Sequence, residues 1–424
     1  HFEKMLYDNA LLCQTYLTAQ RCFDKPYWRK VAGDILAFVS NELQTESGAF
    51  YSSLDADSEG EEGKYYVFDK KELSDILGDE SGEWMAKTFG VSTLGNFEHG
   101  TSVLHLIDSP QALAAKDNLS VDQFFEKISP LVEKLLDYRS KRIRPGRDEK
   151  VLTSWNSLMI SAFVDGYLVF QDPTYLDTAK RAARFILDNL TRDGGLLRTW
   201  GKGKAKINGY LDDYAYFINS LLDLAAVDPD PAWYERAEEF CRFMIEHFLD
   251  EQSGGFFYTA DDHEELVVRP RSHFDGSVPS GTSMAALCLL RLSRLSANES
   301  YGERVKKVLS LYTKVSTRSP DQFANMLCVL DSYLVNPKEV ALVFDSKQNA
   351  SFSEFLFAIN SFYRPDDVTL IFDTSSASLH KSPLLEGKQA IDGKPTLYVC
   401  RNFSCSDPIT DIDRIKDVFD PSQC

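Results

Sequence analysis

With 424 residues, an apolar fraction of 43% and a charged fraction of 26%, the chain can build one large domain, or one large and one small, of soluble globular type. Its 64 acidic against 46 basic residues leave a net charge of −18, which repels phosphate backbones and argues against a nucleic-acid partner. No apolar run approaches the ~20 residues of a bilayer span. Met284 to Leu290 is about the longest and Arg291 ends it, so no membrane is expected.

The sequence begins His1-Phe2-Glu3-Lys4, without an initiator Met or a leader, and reads as a fragment whose N-terminus lies upstream. Cys13, Cys241, Cys288 and Cys328 fall on apolar faces of predicted helices. Eight such scattered cysteines favour a reducing, intracellular compartment.

Four segments share one plan: a polar cluster opening a helix, a turn, a second helix, then a glycine-aromatic turn. The first starts at Tyr7-Asp8-Asn9, turns at Pro26-Tyr27-Trp28 and ends at Gly48-Ala49-Phe50-Tyr51. The second runs from Trp155-Asn156 through Asp172-Pro173 to Gly194-Gly195-Leu196-Leu197, and the third from Asp212-Asp213-Tyr214 through Asp230-Pro231 to Gly254-Gly255-Phe256-Phe257. The fourth opens at Pro279-Ser280-Gly281-Thr282-Ser283 and reaches Lys314. Pro173 and Pro231 lie 58 residues apart, and Gly195 and Gly255 lie 60 apart. A period near 60 that holds two helices is the signature of a helical-hairpin array.

Apolar residues at Leu211, Tyr214, Ala215, Ile218, Leu221, Leu222 and Ala225 mark the clearest helix. Stripes from Tyr175 to Leu190 and from Trp233 to Phe248 mark two second helices, each with proline near its start. The glycine-aromatic turns look like short strands over a central hole, which favours closure into an α/α toroid.

Residues 1–335 are therefore assigned to the toroid, interrupted by an insertion at about 52–150. The insertion carries an acidic loop, Asp55 to Glu62, a strand-like run Lys64-Tyr65-Tyr66-Val67-Phe68, a helix from Pro130 to Arg144, and a basic run, Arg139 to Arg147, read as a solvated face. The acidic loop lacks the glycine and glutamate order of an EF-hand, so it is taken as a solvated or substrate-lining loop and no metal is expected. Residues 336–424 change to alternating strands and helices: Glu339–Phe344, Val368–Phe372 and Thr396–Val399 suit buried parallel strands, with helices at Ser353 to Phe362 and Asp411 to Phe419. A small α/β domain is expected there. Cys400 and Cys405 are two ligands short of a zinc site and are read as structural.

The runs His1-Phe2-Glu3-Lys4-Met5-Leu6-Tyr7-Asp8, Asp55 to Lys64, Lys150-Val151-Leu152-Thr153-Ser154-Trp155-Asn156, Leu211-Asp212-Asp213-Tyr214-Ala215, Gly254-Gly255-Phe256-Phe257 and Asp275-Gly276-Ser277-Val278-Pro279-Ser280-Gly281 resemble the spermatogenesis-associated protein 20 family. The matches run in order along nearly the whole chain. Ser157 and Thr282 depart from it, standing where the family usually has Gly and Asn. The resemblance implies a thioredoxin-like domain upstream of His1, followed by an (α/α)6 toroid similar to N-acylglucosamine 2-epimerases and incomplete here at its N-terminus. No Cys-x-x-Cys occurs in this chain, so a redox role of the family would lie outside it.

In such a toroid the inner-helix N-termini surround a funnel where a small ligand meets concentrated polar groups. Glu3, Asp8, Asp55, Asp57, Trp155, Asn156, Tyr214, Asp275 and Ser280 are the expected substrate contacts: carboxylates and amides bind hydroxyls, and aromatic rings stack on a sugar's apolar face. Asp212 and Asp213 point about 100° apart on a helix, so one is expected to cap it and the other to face the funnel. With His1 and His273 they form the candidate acid/base set for proton abstraction beside a carbonyl. His99, His105, His247, His263 and His380 are read as surface or structural. The sum is a carbohydrate-binding, epimerase- or isomerase-like toroid with a small sugar ligand and no cofactor. The alternatives are a non-catalytic binding or regulatory module attached to the thioredoxin-like domain, and a glycoside hydrolase using a carboxylate pair.

Overall fold

A computed structural model describes residues 2–264, 267–346, 352–376 and 382–419. The chain divides into two compact units, one of His1–Met5 and Ser53–Asp148, the other of Leu6–Ser52 and Glu149–Cys424.

In chain order, β1 (Lys4–Met5) precedes a hairpin of α1 (Leu6–Phe23) and α2 (Pro26–Glu42). The first unit then holds β2 (Ser53–Leu54), β3 (Asp57–Ser58), β4 (Glu61–Glu62), α3 (Lys70–Leu77), α4 (Asp79–Thr88), α5 (Pro110–Lys116), α6 (Val121–Ser140) and β5 (Arg147–Asp148). The second unit resumes with β6 (Val151–Leu152), α7 (Thr153–Phe170) and α8 (Pro173–Asn189), followed by β7 (Thr191–Arg192), β8 (Gly195–Gly201) and β9 (Lys204–Asn208). Next come α9 (Leu211–Ala225), α10 (Ala232–Phe248), α11 (Gly281–Ser296), α12 (Glu299–Ser316) and α13 (Ala324–Leu334). The chain closes with β10 (Glu339–Phe344), α14 (Ser353–Asn360), β11 (Val368–Asp373), β12 (Thr396–Arg401), β13 (Ser404–Cys405) and α15 (Ile415–Phe419).

In the first unit, β2 lies between β1 and β5, with Ser53 opposite both Met5 and Asp148. Phe68, Leu73, Met85, Phe124, Ile128 and Leu135 form its core. Of Lys64 to Phe68, expected as a strand, Lys64 to Tyr66 is instead a turn, the amides of Tyr66 and Val67 both donating to the Gly63 carbonyl, and Phe68 bridges Ser102 in antiparallel fashion. The carbonyls of Lys64, Tyr65 and Val67 converge on one Arg142 guanidinium at 3.4, 3.1 and 2.7 Å, a geometry that a strand ladder forbids. Arg142 also pairs with Glu72 at 2.9 Å and stands over the Phe68 ring, so this member of the basic run is not a solvated charge. The helix expected from Pro130 starts at Val121, where Ser120 and Gln123 form a capping box, and it carries Pro130 in its interior.

In the second unit the repeat is explicit. Helices α1, α7, α9, α11 and α13 pack in consecutive pairs, and α2, α8, α10 and α12 each cover the helix before them. The inner helices α7 and α9 are buried on nearly all sides, whereas α8 and α10 bury one stripe each. The chain after each outer helix folds back to its own inner helix. The Leu6 amide bonds the Ser52 carbonyl at 2.9 Å, Thr153 Oγ1 the Leu197 carbonyl at 2.6 Å, and the Leu211 amide the Tyr258 carbonyl at 3.0 Å. The glycine-aromatic turns make the short bridges expected of them: Gln44 with Phe50, Thr191 with Leu196, and Leu249 with Phe256. The fold is mainly α, an α/α toroid of the six-hairpin type. Among the described residues it has five inner helices in its row.

Ion pairs tie the C-terminal halves of the inner helices. Arg21 of α1 meets Asp165 of α7 at 2.7 Å. Asp223 of α9 accepts from Ser161 of α7 at 2.6 Å and from Arg291 of α11 at 2.7 Å. Arg294 of α11 bonds the Ser332 carbonyl of α13, and the Asp366 carbonyl at 2.8 Å, so the C-terminal segment lies against this end. The sheet there runs β11-β10-β12-β13. It is mixed rather than parallel: β10 and β11 are parallel, but β12 returns antiparallel to β10, with Leu342 opposite Leu397. Cys400 and Cys405, opposite each other on β12 and β13, form a disulfide. Cys13, Cys241 and Cys288 are buried free thiols.

Candidate functional site

The N-termini of the inner helices lie together, and their free amides decide what most of the motif side chains do. Asp213 is fully buried. One carboxylate oxygen accepts the Ser154 amide from the first turn of α7 at 3.0 Å. The other accepts the Tyr210 amide at 2.9 Å, closing its own helix, and an Arg198 N–H at 3.3 Å. Asp213 is thus the capping member of the pair. Asp275 does the same for α11 and α13, accepting the Ser280 amide and Ser283 hydroxyl at 2.8 Å each and the Asn325 amide at 2.9 Å. Ser280 caps α11 through the Ser283 amide.

Four expected substrate contacts, Ser280 among them, are therefore occupied inside the fold. Asn156 is fully buried, and its amide clasps Phe50 from both sides: Oδ1 accepts the Phe50 N–H at 2.8 Å, and Nδ2 donates to the Phe50 and Leu152 carbonyls at 3.0 Å. Tyr214, also buried, accepts the Leu196 amide on its hydroxyl at 2.7 Å. Asp275 is committed as described. Trp155 remains partly exposed against the edge of Tyr7, centroids 4.8 Å apart, beside an exposed Asp8 whose carboxyl is raised by partial burial.

Asp212 differs. It packs against the first residue of α11, where a methyl group added to Gly281 would strike its carboxyl. Burial, and then the Asp213 charge, push it up to about 7, with Arg198, the Tyr258 hydroxyl and the Gly281 amide opposing the shift only in part. Burial pushes Tyr258 up to about 12, helped by Asp212, so its hydroxyl stays protonated.

Arg198 and Tyr258 connect this carboxyl to a cavity of about 620 Å³, also lined by Tyr210, Asn208, Asp262 and His263. Tyr210 and Tyr258 stack at 4.9 Å with planes 13° apart, and the Arg198 guanidinium lies 4.8 Å from the Tyr210 centroid. His263, read from sequence as surface or structural, meets Tyr210 edge-on at 4.9 Å and approaches the Gly209 carbonyl at 3.2 Å.

His273 is not among the residues lining this cavity. Its ring stacks on Tyr312 at 5.3 Å and near Phe274 at 4.2 Å, and burial, with Arg271 nearby, lowers its pKa. Glu3, Asp55 and Asp57 belong to the first unit and are exposed there. Asp55 accepts the Asp57 amide at 3.2 Å, and Asp57 pairs with Glu62 across β3 and β4. His1, His380 and Cys424 lie outside the described residues.

No family model matches the chain. Spermatogenesis-associated protein 20 of Homo sapiens is 30% identical over 99% of the chain, and its Rattus norvegicus counterpart is 29% identical over 97%. The chain is a homologue of spermatogenesis-associated protein 20. It spans 58% of the human relative's length. Among solved structures, a sugar epimerase from a ruminal bacterium overlays 73% of this chain and 61% of its own, at 11% identity and a TM-score of 0.47. A D-mannose isomerase overlays 74% and 76%, at 13% identity and a TM-score of 0.40. No described helix is long and apolar enough to cross a membrane.

Proposed function

We propose that this homologue of spermatogenesis-associated protein 20 binds a small sugar in the Arg198–Tyr210–Tyr258 cavity and shifts a proton on it, as an epimerase or isomerase does. The observation that carries this reading is Asp212, a buried carboxyl brought to about 7 behind Arg198 and Tyr258, the guanidinium and phenol that line the cavity. A group of that pKa takes and returns a proton at neutral pH. Asp212 would remove the proton next to the carbonyl of an open-chain sugar, while Arg198 and the Tyr258 hydroxyl stabilise the enediolate oxygen. Returning the proton to the other face gives an epimer; returning it to the neighbouring carbon gives an isomer. The Tyr210–Tyr258 pair supplies an aromatic surface for the sugar's apolar face, and Asp213 holds Arg198 in place.

The test is to incubate the full-length protein with aldoses, N-acylhexosamines and disaccharides and to follow new anomeric signals by NMR. The expected outcome is turnover whose kcat/KM rises with pH through about 7, and a fall of at least ~100-fold in Asp212→Asn with sugar binding retained. No turnover and no sugar binding sinks the reading. Binding without turnover that is unchanged in Asp212→Asn replaces it with a binding module.

A further inference from the structure

Beyond Asn208 lies a second cavity of about 120 Å³, lined by Arg192, Gly195, Gly209, Tyr214 and Phe243 and sharing Asn208 and Asp262 with the first. One wall is aromatic: Tyr214 and Phe243 stack at 5.1 Å with planes 6° apart. Two glycines are required there. A Cβ on Gly195 would come within 2.9 Å of the Tyr214 hydroxyl and 3.0 Å of the Phe243 ring, and one on Gly209 within 3.0 Å of the Leu196 carbonyl. Larger residues would crowd the wall, so the space persists because these positions carry no side chain.

The boundary between the cavities is polar and weak. Arg192 donates to Asn208 Oδ1 at 3.4 Å, and Asn208 Nδ2 donates to Asp262 Oδ2 at 3.4 Å, both beyond the usual ~2.9 Å. Bonds this long and open to solvent exchange readily for ligand hydroxyls. The first cavity offers an aromatic pair and charged groups, and the second repeats that combination on a smaller scale. Aromatic side chains alternating with hydroxyl-binding groups along a groove match a chain of linked sugar rings.

Resting on the sugar reading of the first cavity, we infer that the two cavities are subsites of one groove whose ligand is an oligosaccharide of at least two units. Asn208 and Asp262 then bind hydroxyls at the junction, and Phe243 contacts the second ring.

Calorimetric titration of the full-length protein with glucose, mannose and N-acetylglucosamine, and with maltose, cellobiose, mannobiose and diacetylchitobiose, decides the matter. At least one disaccharide is expected to bind roughly five- to tenfold more tightly than its monosaccharide, the factor that one added aromatic contact supplies. Phe243→Ala should erase that preference without changing the monosaccharide, and Arg192→Ala, at an exposed position, should weaken the disaccharide alone. Equal affinities in the unsubstituted protein, or equal weakening of both sugars in Phe243→Ala, overturn the second subsite while the first stands. Saturation by none of the sugars overturns both.

Discussion

At the start of α9, two carboxyl groups one peptide unit apart meet opposite surroundings. Asp213 is ringed by two backbone amides and Arg198, whereas Asp212 faces Tyr258 and α11 and rises to about 7. The sign of its contribution to stability follows. A carboxyl whose folded pKa lies above the unfolded value near 4 favours the folded state while it is protonated. That advantage is complete below pH 4 and disappears as pH rises through about 7. Asp212→Asn, neutral at every pH, should therefore match the unsubstituted protein at pH 3 and exceed it by about 2–4 kcal/mol at pH 8. Melting temperatures at the two pH values check this, and a parallel fall of both proteins would refute it. That the adjacent carboxylates would take different surroundings was legible, because successive helix positions diverge by about 100°. Which was which depended on Gly281 and Tyr258, one 69 and one 46 residues further on, and no local pattern carries that.

The hairpins were legible because their spacing and stripes are local properties, and α8, α10 and the glycine-aromatic bridges stand where the 60-residue period puts them. Arg198 and Tyr258 were missed, although each is the third residue after the second glycine of its turn, and so they are equivalent positions of two repeats. Comparing the repeats position by position would have found them. Asn156, Tyr214 and Asp275, expected as substrate contacts, bond within the fold instead: a polar residue at a helix start serves a ligand or its neighbours' free amides, and composition does not distinguish the two. The turn at Lys64 to Tyr66 escaped because its carbonyls are satisfied by Arg142, more than 70 residues away. The direction of β12 is likewise set by a partner strand rather than by its own apolar run. Asn156→Ala tests the structural role: it strands the Phe50 N–H and C=O inside the fold and should cost about 2–4 kcal/mol. Chemical denaturation would show it, and a loss below 0.5 kcal/mol, on the scale of a surface change, would restore Asn156 as a ligand contact.

Across the helical unit the two ends of the inner helices are chemically unequal. One end presents capped amides and the Arg198 cavity, and the other is bound together by Arg21–Asp165 and Asp223–Arg291. Asp223→Ala leaves Arg291 and Ser161 without their shared acceptor. The expected loss is about 1–3 kcal/mol, since the pair is only partly buried, with sugar affinity unchanged. Thermal melts and titration on one sample would separate the two effects, and a loss of binding at retained stability would contradict this division. The pairing of Ser53 with Asp148 has a further effect, on chain entropy. The 53–148 excursion leaves and re-enters through neighbouring rungs of one ladder, so its length is invisible to the hairpins on either side. A floppy loop of that size would cost roughly 3 kcal/mol more to close than a tight turn of a few residues. The ladder moves that cost inside the inserted unit, where its own core offsets it, and an insertion of nearly any length could occupy the same joint.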